Sequence, residues 1–222
     1  MKRLVIIVFI LYLFLVPDKS LASWHAGNRR SSAYGVKANI FTPAIPPYMF
    51  PDDRTPQSNW VSTAGPYWMQ IGWLYYHGWD KPVVYYEYCN YPCLDDGDYS
   101  QEWLVDMEWS TNASFRVQNT TSIGKIYGTW CAYRNDIAIV CSSDLVAPPV
   151  EVQVVSESHH PWNDLNTYFS SVSYRESNGL WHLFDLSMWY EDFPYTTNKY
   201  YLYEFQTRRY DIYQGYLPMV MK

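Results

Sequence analysis

Basic charge is scarce in this chain of 222 residues. It has 16 Lys and Arg against 22 Asp and Glu, a formal net charge of −6. No basic stretch stands out, which argues against nucleic acid and anionic membrane surfaces as partners. Long apolar runs are nearly absent too. The one continuous run, residues 4–16, is shorter than the roughly 20 residues a bilayer-spanning helix needs, and no later segment could span. Lys2 and Arg3 precede that run and Ser20-Leu21-Ala22 follows it. This is the pattern of a signal peptide cut after Ala22, so residues 1–22 are expected to be removed and 23–222 to form the mature domain. Loss of Lys2, Arg3, Lys19 and Asp18 then leaves 13 basic and 21 acidic residues, a net charge of −8.

Helical periodicity is missing as well. The nearest case, "QEWLVDMEW" at 101–109, alternates Trp103, Val105, Met107 and Trp109 as a strand does. There is no Gly-rich phosphate loop, no HExxH and no nucleophile elbow. The five histidines are scattered, and the adjacent pair His159-His160 would point to opposite faces of a strand and could not readily share one ion. Those two are expected in a loop, and neither a metal nor another cofactor is expected.

Cysteine is sparse but even in number: Cys89, Cys93, Cys131 and Cys141. In an exported chain this suggests two disulfides, with three connectivities open. Cys89–Cys93, a short clip around Tyr91-Pro92, and Cys131–Cys141, across a hairpin, are favoured over a four-cysteine zinc site, which lacks paired C-x-x-C spacing.

What the chain has in abundance is aromatic side chains, 23 Tyr and 11 Trp among them, which favour pleated surfaces. Residues 33–42 alternate Tyr34, Val36, Ala38 and Ile40 against Gly35, Lys37 and Asn39. A loop dense in proline follows, from Pro43 to Pro56. Further strands are expected at 59–63, 67–76, 82–88, 101–109, 113–118, 123–133, 137–141, 150–158, 166–175, 180–190 and 199–207. Asn178-Gly179 reads as a type I′ hairpin turn, and Arg134-Asn135-Asp136 as a second turn. Many strands and frequent turns predict a single all-β domain, an antiparallel β-sandwich of the jelly-roll or concanavalin kind. Asn112 and Asn119 open glycosylation sequons.

One stretch is puzzling. In "WMQIGW", at 68–73, Met69, Ile71 and Trp73 form a core face, while Trp68, Gln70 and Gly72 share the other. An amide between a large ring and a bare backbone is either solvent-facing or looks into a groove. Two carboxylates accompany it on other strands: Glu87 in "VVYYEYC" and Glu157 in "VEVQVVSES".

Taken in order, "NWVSTAG" (59–65), "MQIGW" (69–73), "YYEY" (85–88), "VVSE" (154–157) and "LNTYFSSVSY" (165–174) resemble the successive motifs of the glutamic peptidases of the eqolisin type. More distantly, "YGVKANIFTP" and the C-N-Y-P-C clip are similar to neprosin-type enzymes. The resemblance covers roughly residues 33–175. It implies a catalytic Gln at Gln70, a catalytic Glu at Glu157, a groove carboxylate at Glu87 and a groove tryptophan at Trp60, with Trp68 beside it. Three features depart from the pattern. Ala64 stands where the family has Asp, Ser156 where a bulky apolar residue is usual, and the first strand is expected about ten residues after the cleavage site. The implied activity is secreted, acid-acting peptide hydrolysis, with Gly72 leaving room for a substrate backbone. The alternative is a non-catalytic secreted sandwich whose rings stack on carbohydrate or other cell-surface material.

Overall fold

The computed structural model describes residues 23–51, 54–91, 93, 99–120, 127–185 and 188–210. The expected signal peptide and residues 123–126 of one expected strand lie outside them. Fifteen strands are present among the described residues, and none of those residues is helical. They are β1 (Trp24–Ala33), β2 (Gly35–Phe41), β3 (Gln57–Thr63), β4 (Trp68–Tyr75), β5 (Val83–Cys89), β6 (Tyr99–Asp106), β7 (Asn112–Asn119) and β8 (Tyr127–Arg134). The remainder are β9 (Ile137–Val146), β10 (Val150–Ser158), β11 (Asn166–Arg175), β12 (Trp181–Leu183), β13 (Met188–Glu191), β14 (Tyr195–Tyr201) and β15 (Glu204–Arg209).

Two antiparallel sheets form a sandwich. One runs β13-β1-β10-β3-β4-β5-β6; the other runs β14-β15-β11-β2-β7-β8-β9, with β12 beside β11. The core lies between them. Val61, Met69, Ile71, Trp73, Val84 and Val154 from the first sheet meet Val36, Ile40, Phe115, Val117, Trp130 and Phe169 from the second. Removing such side chains from water stabilises the fold by about 1.5–3 kcal/mol each. Met49, from the proline-rich loop, is buried in the same core.

Both favoured disulfides are present. Cys89–Cys93 clips the end of β5, and Cys131–Cys141 joins directly paired residues of β8 and β9.

Several expectations are corrected. The first strand begins at Trp24 rather than near residue 33; its polar sequence carries no clean alternation, yet it pairs along β10 and β13. The expected strand at 180–190 is two short strands that join different sheets. The expected strand at 199–207 is a hairpin of β14 and β15, turning at Leu202-Tyr203 without Gly, Pro or Asn. At Asn178-Gly179 only Gly179 has positive φ (86°), so the turn is not type I′, which needs two such residues in succession. Asn135 and Asp136, at 47° and 65°, supply both. Asn119 is buried and donates its amide to Thr129 O, so its sequon is closed, while Asn112 is exposed.

Gly72 also has a different reason from the expected one. A Cβ there would stand 1.9 Å from Asn59 O and 2.8 Å from Trp60 Cα. The missing side chain admits the neighbouring strand, not a substrate. Gly72→Ala should therefore force β3 and β4 apart and lower the unfolding free energy by at least about 1–3 kcal/mol. Urea denaturation of the two proteins measures it.

Candidate active site

The central strands present their other face to a groove of about 460 Å³. Register explains its membership. Across β1, β10 and β3, His25 pairs with Glu157 and Glu157 with Ser58. Two residues further along β3, Trp60 pairs with Gly72, which pairs with Tyr85. Two further again, Ser62 pairs with Gln70, Gln70 with Glu87 and Glu87 with Gln101. A period of two keeps these positions on one face. All five residues singled out in the sequence line this groove: Trp60, Trp68, Gln70, Glu87 and Glu157. Ala64 lies outside it, past the end of β3.

Glu157 is held from two sides. Trp60 Nε1 donates to its Oε2 at 3.2 Å and Ser58 Oγ does so at 3.3 Å. Its Oε1 faces His25 Nε2 and His159 Nε2, each at 3.5 Å. Burial pushes this carboxyl up, but His25, His159 and the Trp60 hydrogen bond outweigh burial and bring it down to about 2. Glu87 behaves in the opposite way. Burial drives it up and the charge of Glu157 adds to that, while hydrogen bonds from Tyr99 and Gln70 oppose; the result is about 7.

Gln70, the direct cross-strand neighbour of Glu87, donates from Nε2 to Glu87 Oε1 and, at 3.1 Å, to Tyr85 OH. Tyr85 is hydrogen-bonded to Ser58 in turn, and burial raises its hydroxyl well above the usual range. A continuous chain of polar contacts thus runs from Gln70 through Tyr85 and Ser58 to Glu157. Sequence reasoning did not single out His25, Ser58 or Tyr85. Pairing of β1 with β10 is what brings His25 in, and that strand had no pattern to reveal it. His159 and His160 lie in a loop, as expected. His159 faces Glu157, while His160 stacks on Phe50 at 4.3 Å.

These protonation states shape stability. Glu157, depressed, adds stability above the usual 4.5 that is lost as pH falls through about 2. Glu87, raised, adds stability below 4.5 that is lost as pH rises through about 7. His25 is also raised despite burial, by Glu157 and Asp192, so its contribution fades above 6.5. The melting temperature should therefore peak near pH 4.5 and fall toward neutrality. Glu87→Gln should flatten that fall between 4.5 and 7, as read by thermal melts across pH.

No protein-family model matches the sequence, and no curated protein sequence matches it significantly. Solved structures do. Scytalido-glutamic peptidase, solved with a peptide-based transition state analog, superposes with a TM-score of 0.59 at 12% identity, over 85% of this chain and 98% of that one. SCP-B, a member of the eqolisin family of peptidases solved with the tripeptide Ala-Ile-His, gives 0.55 at 11% identity, over 84% and 98%. The strand order, the two packed sheets and these superpositions together establish that the chain has the β-sandwich fold of the eqolisin-type glutamic peptidases.

Proposed function

We propose that this chain is a secreted glutamic-type endopeptidase that hydrolyses peptide bonds at acidic pH with Glu157 and Gln70. One observation carries the reading: Glu157, Gln70 and Glu87 line a single groove on one sheet, with their carboxyl groups driven to opposite protonation states. Groups pushed apart in this way mark an acid and base division of labour. The fold shared with two peptidases bound to peptide-like ligands supports a peptide as the occupant. The two disulfides fit an oxidising compartment.

Ionised Glu157 takes a proton from water as the water oxygen bonds to the scissile carbonyl carbon and the carbonyl pair moves onto oxygen. When the C–N bond breaks, the protonated Glu157 returns that proton to the leaving nitrogen. The amide of Gln70 stabilises the oxyanion. In the arrangement described, both Nε2 hydrogens are engaged, by Glu87 and Tyr85. Protonated Glu87 reverses this: it donates to Gln70 Oε1, Tyr85 donates to the same oxygen, and the NH₂ group turns to the groove. Acidic pH thus supplies the oxyanion donor.

The test is turnover of a denatured protein substrate across pH. Glu157→Gln should abolish it with folding intact, and Gln70→Ala should lower kcat by about 10²–10³. The wild-type profile of kcat/KM should be bell-shaped, with limbs near 2 and 7. Glu87→Gln, whose amide N–H mimics the protonated acid, should keep activity and lose the alkaline limb. Turnover that survives in Glu157→Gln would sink the mechanism. An inactive wild type at every pH would leave the carbohydrate-binding reading. That reading is favoured by the cluster of mutually tilted rings of Tyr76, Trp79 and half-exposed Trp103 at the groove's edge, beside Asp80 and Asp106.

A further inference from the structure

His25 reaches the groove from β1 and is gripped from both ends of its ring. Asp192 Oδ2 lies 3.2 Å from Nδ1 and also accepts the His25 backbone N–H at 3.0 Å. Nε2 lies 3.5 Å from Glu157 Oε1 and 3.4 Å from Ser23 Oγ. The ring of Tyr190, on β13, stacks against it at 5.3 Å. A carboxylate on each side of an imidazole favours the doubly protonated ring, which donates in both directions.

We propose that His25, anchored by Asp192, is the positioning residue that keeps Glu157 ionised and aimed into the groove, and so sets the acidic limit of hydrolysis. This rests on the peptidase reading above.

Glu157 has a side chain only 16% exposed, and a carboxylate so enclosed needs a compensating charge. Ser58 and Trp60 give neutral hydrogen bonds to Oε2. Across the groove Glu87, Tyr85 and Tyr99 offer no positive charge. Compensation must come at Oε1, where two histidines compete. His159 Nδ1 is buried with no partner among the described residues, so its imidazolium would leave an N–H unsatisfied. His25 has Asp192 for that purpose. His25 is therefore the better-supported of the two cations, and His159 adds less. Without His25, Glu157 would take up a proton at the pH where it must act as base.

The experiment pairs two readouts on the full mature chain. One is the pH profile of kcat/KM; the other is titration of the Glu157 carboxyl by carbon-13 NMR of glutamate-labelled protein, which needs no activity. In His25→Gln the acidic limb and the Glu157 resonance should both move up by about 1–3 pH units, as expected when a close opposite charge is removed. Asp192→Asn keeps the ring in place and should move both in the same direction by less. It also serves if His25→Gln folds poorly. His159→Gln should move them least. A limb and a resonance unchanged in His25→Gln and Asp192→Asn would overturn the proposal. A resonance that moves in a protein with no hydrolytic activity would uphold the hold of His25 on Glu157 and overturn the peptidase reading instead.

Discussion

Strand register in the β10-β3-β4-β5 quartet governs everything else in the molecule. Nearly every residue of β3 and β4 is buried. One face supplies Val61, Met69, Ile71 and Trp73 to the core; the other supplies Trp60, Gln70 and Tyr85 to the groove. A slip of one residue would exchange the two sets. Gly72 enforces the close pass of β3 over β4 that fixes this register, and the same row carries Trp60, whose indole reaches Glu157. Packing and site geometry are thus one constraint seen from two sides.

Much of this was legible in the sequence wherever alternation was strong. "NWVST", "WMQIGW", "VVYYEYC" and "VEVQVVSES" each lie in a strand whose ends fall within two residues of those expected, and all five residues singled out on them face one groove. Legibility failed where polar residues sit inside. β1 reads as polar because its inner face carries Asn28 and Arg30 and its outer face His25 and Arg29; only pairing with β10 makes it a strand. The β14–β15 hairpin turns on Leu202-Tyr203, which no turn propensity flags. Asn178-Gly179 had the right letters for a type I′ turn, but the torsions that define one occur at Asn135-Asp136. His25 could not be found from the sequence because its role depends on Asp192, far away in the chain.

The departure at Ser156 finds its explanation in the same region. Ser156 is fully buried behind Glu157, bonded to Asn59 and Thr207. Asn28, Gln57, Asn59 and Thr167 are also fully buried, on strands that pair at this end of the sandwich. A bulky apolar residue at 156 would strand the hydrogen-bonding groups of Asn59 and Thr207, at a cost of about 1–3 kcal/mol per group left unpaired. The serine belongs to a polar end of the core. The apolar packing that elsewhere holds the two sheets together gives way to buried polar side chains just beneath the Glu157 carboxylate.

The two disulfides close loops of only 4 and 10 residues, and each lies within one sheet or its adjoining loop. By chain-entropy reasoning, clips this short each contribute less than about 3 kcal/mol. Neither is a rivet between the two layers; both are hems along single edges. Cohesion of the sandwich therefore does not depend on redox state. A reducing agent would fray the end of β5, beside Trp68 and Tyr99, and the β8–β9 hairpin, while the layers stayed joined by their apolar faces.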